Sequence, residues 1–232
     1  MIYAVILAGG SGTRMKSAKI PKQFIVLGDK TILNHTVDKF LFVSKVDRII
    51  VAAPKVWLRH TMDMFSGDKY ERVDICEGGK TRQESLYKAV KYIEEKYKNI
   101  EDLIISHDVA RPFVSYRIIN ENIEALERYE AVDTVIPATD TIVRSDSGKV
   151  ITSIPDRAKM YMGQTPQSFR RTTYTKIYES LSNDYLERVT DAARILSDNG
   201  CSVALVQGDE SNIKITTDHD LQIAKFLISK KD

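Results

Sequence analysis

The chain has 232 residues, 43% of them apolar and 28% charged, enough for one sizeable α/β domain that buries its core without disulfide staples. Thirty-four basic against 32 acidic residues leave a formal net charge of +2. That excess is too small for a protein held to nucleic acid by charge, although it permits a local basic pocket for phosphates. Cys76 and Cys201 lie far apart, form no CxxC pair and read as buried free thiols of a reducing cytoplasm; no apolar run reaches the roughly 18 residues of a membrane span, and no basic segment precedes the first apolar run as in a signal peptide.

Residues 2–8 form a short apolar run closed by Gly9 and Gly10, the pattern of a buried parallel strand entering a phosphate-sized turn. Residues 31–42 carry Ile32, Leu33, Val37 and Leu41 near one face and predict a helix. A second strand follows at 48–53, stopped by Pro54, and a third at 73–76, ahead of Gly78 and Gly79. A helix at 85–97 shows Leu86, Val90 and Ile93 at helical spacing. A fourth strand at 103–106 ends at His107 and Asp108, a helix covers 118–129, and a fifth strand covers 132–137. This alternation predicts a doubly wound, mostly parallel, Rossmann-like sheet whose ligands sit outside the carboxyl ends of the strands, where Gly9, Gly79 and Asp108 all fall.

Residues 139–165 break the alternation. Strand-like pieces at 141–143 and 149–154 flank a turn at Asp146-Ser147-Gly148, which predicts a small protruding β arm packing on another subunit. A helix at 190–198 ends at Asn199-Gly200, late strands are expected at 202–206 and 213–216, and a final helix at 218–229. One domain, 1–232, accounts for the chain.

Four constellations carry chemistry. LAGGSGTRM (7–15) followed by PKQ (21–23) brings closely approachable backbone N–H groups together with Arg14 and Lys22. Such an anion nest with two cations suits a triphosphate whose leaving pyrophosphate gains charge. A dinucleotide fingerprint is excluded because its third glycine would be Met15, and a P-loop is excluded because its first glycine would be Asp74. GGKTRQES (78–85) follows a strand and opens a helix, so its backbone donors face an anion or a base, with Arg82 and Ser85 three apart on one side. HDVARP (107–112) places a carboxylate, Asp108, at a strand end, where Mg²⁺ would take it together with phosphate oxygens. His107 reads as a packed, hydrogen-bonded residue rather than a base, since an ionised phosphate nucleophile needs none. The fourth is spread over Thr141, Asp156-Arg157, Gly163-Gln164-Thr165-Pro166-Gln167, Thr190-Asp191 and Asn212-Ile213-Lys214, each a weak signal singly, since Arg157, Thr190 or Lys214 alone would be ordinary surface or capping chemistry.

Together with GQTPQSF (163–169), VTDAA (189–193) and NIKIT (212–216), these motifs occur in the order and spacing of the cytidylyltransferase family of nucleotidyl-sugar and polyol-phosphate enzymes, which the whole chain resembles. Within it, IPDRAKMYMGQTPQSF (154–169) and Ala131-Val132-Asp133-Thr134 look more like the ribitol-phosphate branch. HDVARP is close to the HDAARP typical of the 2-C-methyl-D-erythritol 4-phosphate branch of isoprenoid synthesis. The resemblance implies transfer of CMP from CTP to D-ribitol 5-phosphate for wall teichoic acid or capsule synthesis, with methylerythritol phosphate as the alternative acceptor. It also implies CTP binding by Leu7, Ala8, Gly9, Gly10 and by Gly79, Lys80, Thr81, Arg82, Gln83, Glu84 and Ser85. Arg14 and Lys22 would stabilise the transition state, Arg157 and Lys214 would position the acceptor phosphate, and Arg111, Thr141 and Thr165 would contact the acceptor. Asp108 would hold Mg²⁺. The family is homodimeric, with the 139–165 arm completing the neighbour's site; neither nucleic acid nor membrane is a partner. A non-catalytic nucleotide-binding module, the reading of another class, would lack the cations Arg14, Lys22 and Lys214.

Overall fold

The computed structural model describes residues 1–10, 20–98 and 101–230. Seven strands make the main sheet: β1 (Ile2–Leu7), β4 (Arg48–Ala53), β5 (Val73–Glu77), β6 (Leu103–Asp108), β7 (Ala131–Pro137), β8 (Tyr161–Arg170) and β9 (Val203–Gln207), in the order β5-β4-β1-β6-β8-β7-β9. A two-stranded ribbon of β2 (Val26–Leu27) and β3 (Lys30–Thr31) stands apart from it. Pairing is parallel from β5 through β6 and between β7 and β9. β8 alone runs antiparallel to both of its neighbours, β6 and β7.

The apolar runs of β1, β4 and β6 are buried on both faces, as parallel strands between helical layers must be. On one face Tyr3, Val5 and Leu7 pack under Leu86, Val90 and Ile93 of α3 (Arg82–Tyr97), together with Tyr174 of α5 (Arg171–Ser180) and Ile195 of α7 (Ala192–Asp198). On the other, Ala4 and Ile6 meet Leu33, Val37 and Phe40 of α1 (Ile32–Leu41) and Ile118 of α4 (Tyr116–Ala125). Helix starts follow capping chemistry: the Thr31, Thr81, Ser115 and Asp191 side chains each accept a first-turn N–H, and Thr217 with Asp220 forms a capping box on α8 (Asp218–Ser229).

Four expectations change. Residues 161–170, read only as a motif, form the longest strand of the sheet, hidden from pattern reading because Gln164, Thr165, Gln167 and Ser168 are polar yet buried. The arm at 139–160 holds no regular strands; its two limbs meet at a single antiparallel bridge, Arg144 with Ser153, beyond which Gly148 turns the chain at a φ of +70°. Residues 213–216 are extended but sit outside the sheet, tied to it by the Ile215 N–H on the Ala110 carbonyl (2.8 Å). Short helices α2 (Leu58–Met64), α5 and α6 (Asn183–Arg188) had no sequence forecast. Both cysteines are free, Cys76 buried and Cys201 only half-buried. No helix among the described residues is long and apolar enough to cross a membrane.

Candidate active site

The carboxyl ends of β1, β5 and β6 open into a cavity of about 330 Å³. Leu7, Gly9, Gly10 and Lys22 line one side, Gly79 to Arg82 with Ser85 a second, and Asp108, Val109, Ala110 and Lys214 a third.

The 78–85 loop is braced from within. Thr81 Oγ1 accepts the Glu84 N–H (3.1 Å) and caps the helix, while Glu84 Oε2 reaches back to accept the Lys80 N–H (2.7 Å), so the loop is tied to the first turn from both ends. That hydrogen bond with Lys80, stronger than the cost of burial, holds the Glu84 carboxyl below its ordinary pKa. Ser85 Oγ accepts the Gly79 N–H (2.9 Å) and donates to the Thr81 carbonyl (2.8 Å). A Cβ on Gly79 would stand 2.4 Å from the Glu84 side chain, so only glycine fits without dismantling the brace. The Ser85 hydroxyl therefore shapes the loop although its residue lines the cavity. Glu84 and the buried Gln83 and Ala8 stand behind the wall.

Asp108 is the electrostatic centre. Its Oδ1 accepts from Arg82 Nε (2.9 Å) and its Oδ2 pairs with Lys214 Nζ (2.6 Å). Burial by itself would raise its pKa; the two cations outweigh burial and hold the carboxyl well below the usual range. Lys22 Nζ donates to the Ile215 carbonyl (3.3 Å), which sets a further cation on the same rim.

Buried polar pins behind the wall fix this arrangement. His107 is fully buried, and burial pushes its pKa down to about 4, so the ring is neutral. Its Nε2 faces the Arg111 carbonyl (3.0 Å), which can only accept, so Nε2 carries the proton and Nδ1 accepts from the Thr165 hydroxyl (3.0 Å). Thr165 Oγ1 in turn accepts the Asp108 N–H (3.1 Å). Asn212, with no exposed surface, donates from Nδ2 to Gln164 Oε1 (2.9 Å) and to the Thr165 carbonyl (2.9 Å), and its own carbonyl accepts from Arg111 Nη1 (2.6 Å). These bonds fold residues 209–216 over the strand ends and deliver Lys214 to Asp108.

The structure thus gathers Lys22, Arg82, Asp108 and Lys214 with Gly9, Gly10 and the Gly79 loop. It does not bring every expected residue to the cavity. Arg111 and Thr165 act in this chain as struts behind Asp108 rather than lining it. Thr141 and Arg157 lie on the exposed arm, where Arg157 Nη1 donates to the Thr139 carbonyl (2.9 Å). Arg14 lies outside the described residues. Among those residues no three His, Cys, Asp or Glu side chains come close enough to hold a metal by themselves. Gln164, Gln167, Asp191 and Asn212 stand in the dispersed fourth constellation and Asp133 in a stretch quoted for the resemblance, but the sequence assigns none of them a role, because nothing in a polar residue's spacing tells that it will be buried.

Comparison with known proteins agrees with this geometry. The family model described as 2-C-methyl-D-erythritol 4-phosphate cytidylyltransferase matches residues 2–230. Two curated relatives carry the name ribitol-5-phosphate cytidylyltransferase. The one from Lactiplantibacillus plantarum is 46% identical over 100% of both chains, and the one from Streptococcus pneumoniae is 46% identical over 99% of this chain and 100% of its own. Among solved structures, the 4-diphosphocytidyl-2C-methyl-D-erythritol synthase of Anaerococcus prevotii superposes with a TM-score of 0.83 at 31% identity, covering 99% of this chain and 96% of that one. The Francisella tularensis 2-C-methyl-D-erythritol 4-phosphate cytidylyltransferase does so with 0.81 at 30%, covering 97% and 98%.

Proposed function

The chain belongs to the 2-C-methyl-D-erythritol 4-phosphate cytidylyltransferase family, and on that premise we propose that it transfers CMP from CTP to D-ribitol 5-phosphate, giving CDP-ribitol and pyrophosphate. The observation that carries the reading is Asp108 held between Arg82 and Lys214 opposite the glycine loops of one cavity. The acceptor is taken from the full-length likeness to two proteins named ribitol-5-phosphate cytidylyltransferase.

A phosphate oxygen of the acceptor attacks the α-phosphorus of CTP. A new P–O bond forms, the bond from the α-phosphorus to the bridging oxygen breaks, and pyrophosphate leaves with that electron pair. Two polyanions have to meet, so charge neutralisation and positioning carry the catalysis. Backbone N–H groups of Gly9 and Gly10 cradle the triphosphate against the 79–81 loop, whose Gly79 and Lys80 N–H groups are held by Ser85 and Glu84, Lys22 and Arg14 meet the charge growing on pyrophosphate, and Lys214 holds the attacking phosphate. Asp108 keeps Arg82 and Lys214 at the cavity before either anion arrives.

Mg²⁺ fits this donor set. Asp108 is the only carboxylate among the described residues lining the cavity, each of its oxygens accepts one bond and keeps a lone pair, and Mg²⁺ takes one or two carboxylates with phosphate oxygens. Asp108 would hold it, and when bound it supplies neutralisation of triphosphate charge. We assign Thr141 and Arg157 to the site of a second copy in a homodimer, since the exposed arm at 139–160 carries them away from the cavity of its own chain. The product would serve wall teichoic acid or capsule synthesis from the cytoplasm.

Pyrophosphate release with CTP and Mg²⁺, run with D-ribitol 5-phosphate against 2-C-methyl-D-erythritol 4-phosphate, tests the proposal. Preference for the ribitol ester is the expected result. Preference for the methylerythritol ester would replace the acceptor, and silence with both would overturn the activity.

A further inference from the structure

We propose that Asp133 is the specificity-determining residue that accepts hydrogen bonds from the hydroxyl groups of the acceptor, an inference that rests on the polyol-phosphate reading above.

β6, β8 and β7 lie side by side, with Ser106 in register with Gln167 and Gln167 in register with Asp133. Residues in register share a sheet face, and alternation puts Asp108 on the face of Ser106. Asp108, Ser106, Gln167 and Asp133 therefore form one row, running two strand spacings, roughly 10 Å, away from the cavity. The glycine loops of the nucleotide occupy the other flank of Asp108. Ser106 and Gln167 are buried and Asp133 is half-buried, so an acceptor with its phosphate at Lys214 would meet this row at its Asp133 end.

The row is built. Gln167 is buried, and its Nε2 donates to Asp133 Oδ1 (3.1 Å) and Asp191 Oδ1 (3.4 Å) while its Oε1 accepts the Ala192 N–H (3.1 Å), so its amide has one orientation. Arg82, already on Asp108, reaches the same Gln167 Oε1 with Nη2 (3.5 Å) and joins the row to the cavity. Two polar groups along it lack partners among the described residues: the hydroxyl of Ser106, which has no exposed surface, and Nη1 of Arg82. Gly163, exposed on β8, leaves room in front of Asp133; a Cβ there would stand 3.9 Å from Asp133 Oδ2.

Asp133 itself is half-buried and forms no ion pair among the described residues. Burial, with Asp191 adding to it, raises its pKa to about 6. A carboxylate without a counter-ion at the open end of a fixed amide costs stability and gives the fold little in return. It is an apt acceptor for hydroxyl donors, which a polyol supplies and a methyl group does not. A site built to bond a hydroxyl penalises the analogue lacking it, because its own polar group is left unpaired.

The test is steady-state kinetics of the full chain with CTP and Mg²⁺, comparing the native protein with Asp133→Asn and Asp133→Leu. The acceptors are D-ribitol 5-phosphate, its analogues each lacking one hydroxyl, and 2-C-methyl-D-erythritol 4-phosphate. Both substitutions are expected to lower kcat/KM for D-ribitol 5-phosphate by about 10- to 100-fold, the range of a hydrogen bond to a charged group, and to leave KM for CTP unchanged. One deoxy analogue should lose a like factor with the native protein and almost nothing further with the variants. An equal loss for every acceptor, a raised KM for CTP or no loss overturns the assignment of Asp133 alone. Inactivity of the native protein with both parent acceptors overturns the polyol reading and this inference with it. The isosteric Asp133→Asn variant carries the test should Asp133→Leu not fold.

Discussion

Asp108 and Asp133 stand on the same face of one sheet, two strands apart, and meet opposite electrostatic fates. Asp108 lies between Arg82 and Lys214 and stays ionised far below the usual carboxylate range. Asp133 shares an amide with another acid, and its pKa is raised to about 6. Burial acts on both, so the neighbours decide. The contrast separates a charge that organises two cations from one that is held by a neutral amide.

The largest effect should come from removing the cations on the Asp108 side. Lys214→Ala is expected to lower kcat by about 10²- to 10³-fold, the scale of losing one preorganised donor at a developing charge. A pyrophosphate-release assay measures it, and a variant within about twofold of native turnover would deny Lys214 a part in holding the attacking phosphate.

The next effect is a pH dependence of stability. His107 has a folded pKa of about 4 against 6.5 unfolded, so the unfolded chain binds more protons between those values. Its neutral burial costs nothing extra above pH 6.5, and stability falls by roughly 3 kcal/mol as pH drops through that window. Asp133 works the other way. Its folded pKa of about 6 against 3.8 means that the folded chain binds more protons, so its penalty is relieved as pH falls through the same range. Urea unfolding between pH 7 and 4.5 should thus give a steeper acid loss for Asp133→Asn than for the native chain. Parallel profiles would deny that Asp133 carries a raised pKa.

Asn212→Ala should cost roughly 2 kcal/mol, since it leaves Gln164 Oε1 and the Thr165 carbonyl each short of a buried donor. It should also lower kcat more than KM for CTP, because Lys214 loses its mooring. Thermal unfolding with kinetics on the same sample checks both. Arg59→Ala marks the floor: its pair with Asp63 (3.2 Å) lies on the surface, and its loss should change stability by less than about 0.5 kcal/mol in a thermal melt.

What the sequence made legible follows the same division. The nucleotide side is contiguous: Gly9 and Gly10 end an apolar strand, and Thr81 caps the helix that Arg82 begins, so local pattern sufficed for the fold and for the Gly79 loop. The far side is assembled from residues distant in sequence. Thr165 acts through His107, 58 positions away, and Asn212 through Gln164, 48 positions away. Their polar character hid the strand that carries Gln164 to Ser168, because strand reading relies on apolar runs and these residues are buried by satisfying one another. Residues 213–216 looked like a strand by composition, yet their backbone is spent on holding Lys214 in place.

The antiparallel strand β8 has a consequence for how the molecule comes together. β7 has no ladder to β6; β8 pairs with both and joins residues 2–108 to the β7–β9 pair. Its partners on β6 lie more than 60 positions earlier in the chain, so this seam closes a long loop and belongs to the slow, non-local part of assembly. The seam also runs beneath the cavity, with Asp108 on one side and Thr165 on the other. A partial opening there would leave most of the secondary structure standing while parting the two halves of the active site. Recovery of turnover during refolding should therefore lag behind recovery of helical signal, and enzymatic activity becomes a report on the closure of one strand.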